Sequence, residues 1–227
     1  MMEQIFFKLV VIIGPLILAV TVHEFSHALM AKWLGDDLGT RMGRLTLDPL
    51  RHIDPVWTVG LPALMIVLST LSGAGMPLFA AGKPTPYNPL ALNRQIFGKR
   101  LPVKYAELLV AIAGPLSNLL LAFISMLLIL LLSNLGYHDL TGYSVGGLLF
   151  QFIYLNAALF VFNLIPVPPL DGSKVLVALL PRRVAERYEA IGPSLSWVLL
   201  GLLIFGGGAL IVSAVRVVVS GVTWFLI

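Results

Sequence analysis

Thr21-Val22-His23-Glu24-Phe25-Ser26-His27-Ala28 sets a His-Glu-x-x-His pattern inside an apolar segment. On a helix, residues four apart lie one turn above each other on the same face. His23 and His27 therefore offer two imidazole nitrogens to one metal ion. Glu24 stands beside them, within reach of a proton on an attacking water. Two His ligands, with a Glu that does not ligate but acts as general base, form the zinc-hydrolase arrangement. The plainer reading is two buried histidines and a glutamate satisfied by neighbouring helices. Position weighs against it: Glu24 lies in a span that reads as membrane-embedded, where an ionisable group is costly and points to function.

Composition supports that solvent. Of 227 residues, 58% are hydrophobic and 11% charged, whereas a soluble domain is about a quarter charged. The chain reads as one all-α polytopic membrane domain, residues 1–227, with about four to five transmembrane helices, one of them broken. There is no cysteine, so disulfides and Cys-ligated metal are excluded, and zinc must be held by His and carboxylate. A formal charge of +4 carries orientation information here and is no nucleic-acid signal. The N-terminus is no convincing signal peptide: Glu3 precedes the apolar run, which continues into the motif instead of ending at a cleavage site.

Outward from the motif, residues 5–34 read as one helix, since a span needs roughly 20 apolar residues. Gly35-Asp36-Asp37 stops it. In the loop 36–55, Leu45-Thr46-Leu47 is expected as a short strand ended by Pro49. His52 reads as an extra metal ligand, a substrate contact or polar surface. Residues 56–79 are apolar but broken by Pro62, Gly73, Gly75 and Pro77. The loop before them carries Lys32, Arg41, Arg44 and Arg51; the loop after carries Lys83, Arg94, Lys99, Arg100 and Lys104. Lys/Arg-rich short loops sit on the cytoplasmic side, so 56–79 is expected to re-enter the membrane or, failing that, to span it. Residues 80–104 are an extended Pro/Lys/Asn-rich interfacial loop.

Residues 105–132 are a clear span carrying Ala113-Gly114-Pro115-Leu116-Ser117-Asn118. The Asn118 amide wants a partner in lipid, either a neighbouring helix or a substrate strand. A further span begins at 145, carries Asn156 and Asn163, and breaks at Pro166-Val167-Pro168-Pro169-Leu170-Asp171-Gly172, because three prolines cannot continue a helix. A short helix resumes to 180, with Asp171 at its start, where a carboxylate is favoured. Residues 194–220 read as a last span, with Gly206-Gly207-Gly208 as a close-packed point within it. Two His leave a catalytic zinc one protein ligand short; Asp171 is the best carboxylate, and Glu107 the runner-up.

Three separated motifs now stand in order: His23-Glu24-Phe25-Ser26-His27, Ala113 through Asn118, and Asn163 through Gly172. Together they resemble the site-2 protease family of intramembrane zinc metalloproteases, and the loop from Gly43 through Pro55 is similar to its small bacterial subgroup. The resemblance implies one zinc held by His23, His27 and Asp171, with Glu24 as base. It implies that Asn163 and Asn118 bind the substrate backbone or the oxyanion. It also implies a transmembrane protein substrate, commonly cut first by another protease of the site-1 type; the basic loops put the active site toward the cytoplasmic side of the cell membrane. No PDZ or CBS domain is visible, and no span precedes the motif helix. The rival class is a non-catalytic metal-binding transporter or a scaffold, since intramembrane His, Glu and Asp also mark ion pathways.

Overall fold

A computed structural model describes residues 2–72, 80–96, 99–142, 144–204 and 208–224. Within them, three helices are long and apolar enough to cross a membrane: 5–33, Val103–Asn134 and Val145–Asn163. Two shorter apolar helices, Pro55–Leu71 and Ala209–Thr223, accompany them. This is an all-α multi-pass membrane protein. The chain divides into two compact units, Met1–Arg94 and Gln95–Ile227.

In the first unit, α1 (Met2–Trp33) carries the motif in its C-terminal third. Its length comes from an apolar run that only a helix can satisfy in lipid, since every backbone group must be paired within the segment. A short α2 (Leu38–Arg41) follows. A π-type turn, Pro55–Gly60, then leads into α3 (Leu61–Ser72). The two ends of this stretch meet: the Thr58 hydroxyl donates to the Ala81 carbonyl at 2.6 Å, and Lys83 N–H donates to the His52 carbonyl at 2.7 Å. Residues 52–58 and 81–83 therefore lie together. Residues 73–79, part of the stretch expected to re-enter or span, lie outside the described residues.

Leu45-Thr46-Leu47 does not form the expected strand. The segment folds back on itself instead. The Thr46 carbonyl pairs with His52 Nε2, the Thr46 hydroxyl takes Asp48 N–H, and the Arg44 guanidinium donates to the Arg51 carbonyl. The short ladder of this chain lies elsewhere, between β1 (Gln95–Ile96) and β2 (Lys99–Arg100).

In the second unit, α4 (Val103–Asn134) packs chiefly on α5 (Val145–Asn163). Its buried stripe is small: Ala111, Gly114, Ser117, Asn118, Ala122 and Ser125. Small residues let helix backbones approach where lipid offers no hydrophobic drive between helices. Ala122, Met126 and Ile129 of α4, Ile153 and Ala157 of α5, and Val215, Val219 and Val222 of α8 (Gly208–Thr223) form the core. Asn118 and Asn156 are both fully buried, and the Asn118 amide donates to Asn156 Oδ1 at 3.0 Å. Asn118→Ala is expected to lower stability by about 1 kcal/mol, the scale of interhelical polar contacts in membranes, measured by thermal unfolding in detergent.

The broken span resolves as α5, a proline turn, and α6 (Asp171–Leu179). Of the last expected span, 194–220, residues 194–204 lie in α7 (Arg182–Ile204) and 208–220 in α8, while 205–207 lie outside the described residues. The polar stretch from Arg182 to Glu189 extends α7 backward beyond the expected start.

Candidate metal centre

The motif residues sit on unbroken α1, and all three are buried, with Glu24 only 8% exposed. Helical spacing brings the rings of His23 and His27 edge to face, centroids 4.7 Å apart, with their Nε2 atoms 3.1 Å apart. A tetrahedral zinc with Zn–N bonds of about 2.05 Å would hold two nitrogens about 3.3 Å apart. The pair thus fits a shared ion with almost no rearrangement. Ser26, between them, is satisfied by its own helix, donating to the Val22 carbonyl at 2.7 Å.

A buried carboxylate without partners costs several kcal/mol, so Glu24 needs donors. They come from Thr85, 61 residues away. Its backbone N–H and its hydroxyl both lie 2.9 Å from Glu24 Oε2, and the hydroxyl is also 3.1 Å from the Glu24 carbonyl. The stretch 80–94 runs as a strap beside α1. Ala81 N–H donates to the Trp57 carbonyl, Lys83 N–H to His52, Asn88 N–H to buried Asp36 Oδ2, and Asn93 and Arg94 N–H to the Leu34 carbonyl. Close approach depends on Gly82: a Cβ there would meet Val20 Cγ1 at 2.7 Å and Glu24 Cγ at 3.1 Å.

Asp171 opens α6 in the second unit, in the first turn and not as the cap, which is Leu170. Gly172 must be glycine, because a Cβ would run into the carbonyl oxygens of Leu164 and Ile165. That contact fixes the start of α6 against the end of α5. Two hydroxyls of α7 hold the proline turn: Tyr188 donates to the Pro166 carbonyl at 2.8 Å, and Ser196 donates to that of Pro168. Beside the turn lies a cavity of about 380 Å³ lined by Lys104, Glu107, Lys174 and Tyr188, which is where Glu107 stands.

The remaining sequence candidates fare differently. Asn163 ends α5 and donates to its own helix at the Leu159 carbonyl, 3.0 Å away. Asn118 is fully buried and donates to Asn156 Oδ1. His52 is fully buried, with Nε2 2.8 Å from the Thr46 carbonyl; it organises the loop that receives Lys83. Thr85, Gly82, Tyr188 and Ser196 were not singled out by sequence. The one local signal was Pro84-Thr85-Pro86, a polar side chain on a segment that prolines force to be extended.

Known proteins are similar to this chain in sequence. The sequence pattern of Peptidase family M50 matches residues 138–203. The Bacillus subtilis protein named "Putative zinc metalloprotease YwhC" is 40% identical over 176 residues, covering 76% of this chain and 70% of the relative. The chain belongs to peptidase family M50. The Mycobacterium tuberculosis protein Rip2, named in the same way, is 33% identical over 196 residues, covering 86% of this chain and 66% of the relative. Family M50 membership makes the chain a metalloendopeptidase, and its imidazole and carboxylate donors are zinc chemistry. No solved structure matches the chain.

Proposed function

We propose that the chain is a zinc-dependent endopeptidase that cuts transmembrane segments of other membrane proteins. One observation carries this reading: paired imidazoles and a buried glutamate on a helix apolar enough to span. Nine residues of α1 separate Glu24 from Trp33, about 14 Å of helix. Such a depth suits a substrate whose scissile bond lies in hydrocarbon. The basic loops flanking α1 and residues 56–79 favour a site open to the cytoplasm.

His23, His27 and Asp171 would hold the metal, two nitrogens and an oxygen with one position left open. The chemistry a bound zinc supplies is polarisation of the scissile carbonyl and acidification of a water. Glu24 accepts the proton of the attacking water and delivers it to the leaving amine. Asn163, by turning its amide from Leu159 toward the substrate, would donate to the developing oxyanion, an effect of roughly 3–4 kcal/mol in comparable sites. A prior cut by a site-1-type protease would shorten the substrate before it arrives.

The test is hydrolysis of a panel of single-span substrates by detergent-purified protein, with and without a zinc chelator. Cleavage within the span is expected, lost on chelation and restored by added zinc. Protein that holds one zinc per chain and cleaves none of the panel would favour the non-catalytic metal-binding reading.

A further inference from the structure

We propose that Thr85 is a positioning residue for Glu24, pinning Oε2 so that Oε1 is the oxygen presented to the reaction. The inference rests on reading Glu24 as the general base. A glutamate has three rotatable bonds and loses up to about 2 kcal/mol of rotamer freedom when fixed, so something must hold it. Nothing within α1 itself does so among the described residues. Both Thr85 donors converge on the same carboxylate oxygen, while Oε1 receives no hydrogen bond among the described residues and faces Gly82, whose missing side chain leaves it room: a Cβ there would stand 3.2 Å away.

The support behind Thr85 is rigid. Prolines at 84 and 86 fix the backbone on both sides, and the residue before a proline is held extended. The N–H therefore points where the strap dictates. Anchors at Lys83–His52 and Asn88–Asp36, 2.7 and 2.8 Å, bracket it. A base held in one rotamer meets the geometric demand of proton transfer, which needs hydrogen-bond reach to the proton it takes. A hydroxyl that merely neutralised a buried charge would leave turnover unchanged once the protein had folded.

Thr85→Val keeps the shape and the backbone N–H but removes the hydroxyl donor. On a fluorogenic single-span helical peptide in micelles, kcat is expected to fall about tenfold, a fraction of what a general base contributes. KM should stay within about twofold with zinc content unchanged, while melting temperature should fall, because Oε2 keeps only the backbone N–H as donor. Thr85→Ser, which restores the donor without the methyl, should recover most of the rate. Wild-type kcat in Thr85→Val overturns the proposal. So does a rise in KM alone, which assigns Thr85 to substrate binding. Loss of zinc, or Thr85→Ser as slow as Thr85→Val, assigns it to packing and overturns it too. Glu24→Gln measured alongside separates the two failures: if that variant turns over normally, the base reading itself falls.

Discussion

Glu24→Gln is expected to lower kcat by at least about 100-fold and up to about 10,000-fold, the range for removing a general base, or roughly 3–5 kcal/mol in the barrier. The substitution keeps the shape of the side chain. Its amide oxygen can still accept from the N–H and hydroxyl of Thr85, both 2.9 Å from Oε2 in the wild type. What disappears is an oxygen basic enough to take a proton. Glu24 is not placed among the metal ligands, so zinc content should stay at one per chain. The buried site also gains from losing a charge, because desolvating a carboxylate costs more than desolvating an amide. Melting temperature should therefore hold or rise. This combination, a large kinetic loss on a protein at least as stable and fully metallated, distinguishes a base from a ligand or a structural residue. Turnover near the wild-type rate would remove Glu24 from the mechanism.

Much of this was legible in the chain, and the reason is local. His23 and His27 could be paired from sequence because a helix turns once in 3.6 residues. The spans were legible because lipid leaves few alternatives to an apolar helix. Asp171 was placed at a helix start by the prolines before it. What escaped depended on distance along the chain. Thr85 meets Glu24 across 61 residues, and no periodicity announces such a contact. His52 read as surface or as a ligand because its neighbours are charged, yet the Thr46 carbonyl pairs with its ring and burial is complete. Asn118 suggested either a substrate or a helix partner; only the structure shows Asn156 opposite it. The Leu45–Leu47 strand failed for a related reason. Alternating side chains suggest a strand, but the Thr46 carbonyl is claimed within the loop by His52.

Asp171→Asn should weaken zinc binding by more than about 100-fold, beyond the 10- to 100-fold typical of residues that only support a ligand. An amide oxygen is neutral and a poorer donor to zinc than a carboxylate. The structural cost should be small. Asp171 lies in the first turn of α6 without capping it, so removing its charge forfeits the helix-dipole term, about 0.3–1 kcal/mol. Metal-free Asp171→Asn should accordingly melt within a few degrees of the metal-free wild type, while a competing chelator strips the variant at far lower concentration. His23→Ala and His27→Ala should behave alike, since the two nitrogens stand 3.1 Å apart and neither imidazole alone makes a chelate. Glu107→Gln is the opposing arm, because Glu107 is the other carboxylate the sequence offers and lines the cavity beside the proline turn. Its zinc affinity should be unchanged. If Glu107→Gln lost the metal and Asp171→Asn kept it, the third ligand would be Glu107, and the role of the Asp171-Gly172 turn would reduce to starting α6. Gly172 argues for the first outcome. The carbonyls of Leu164 and Ile165 close over it, and so tight a junction holds the neighbouring carboxylate at a fixed point, as a ligand requires.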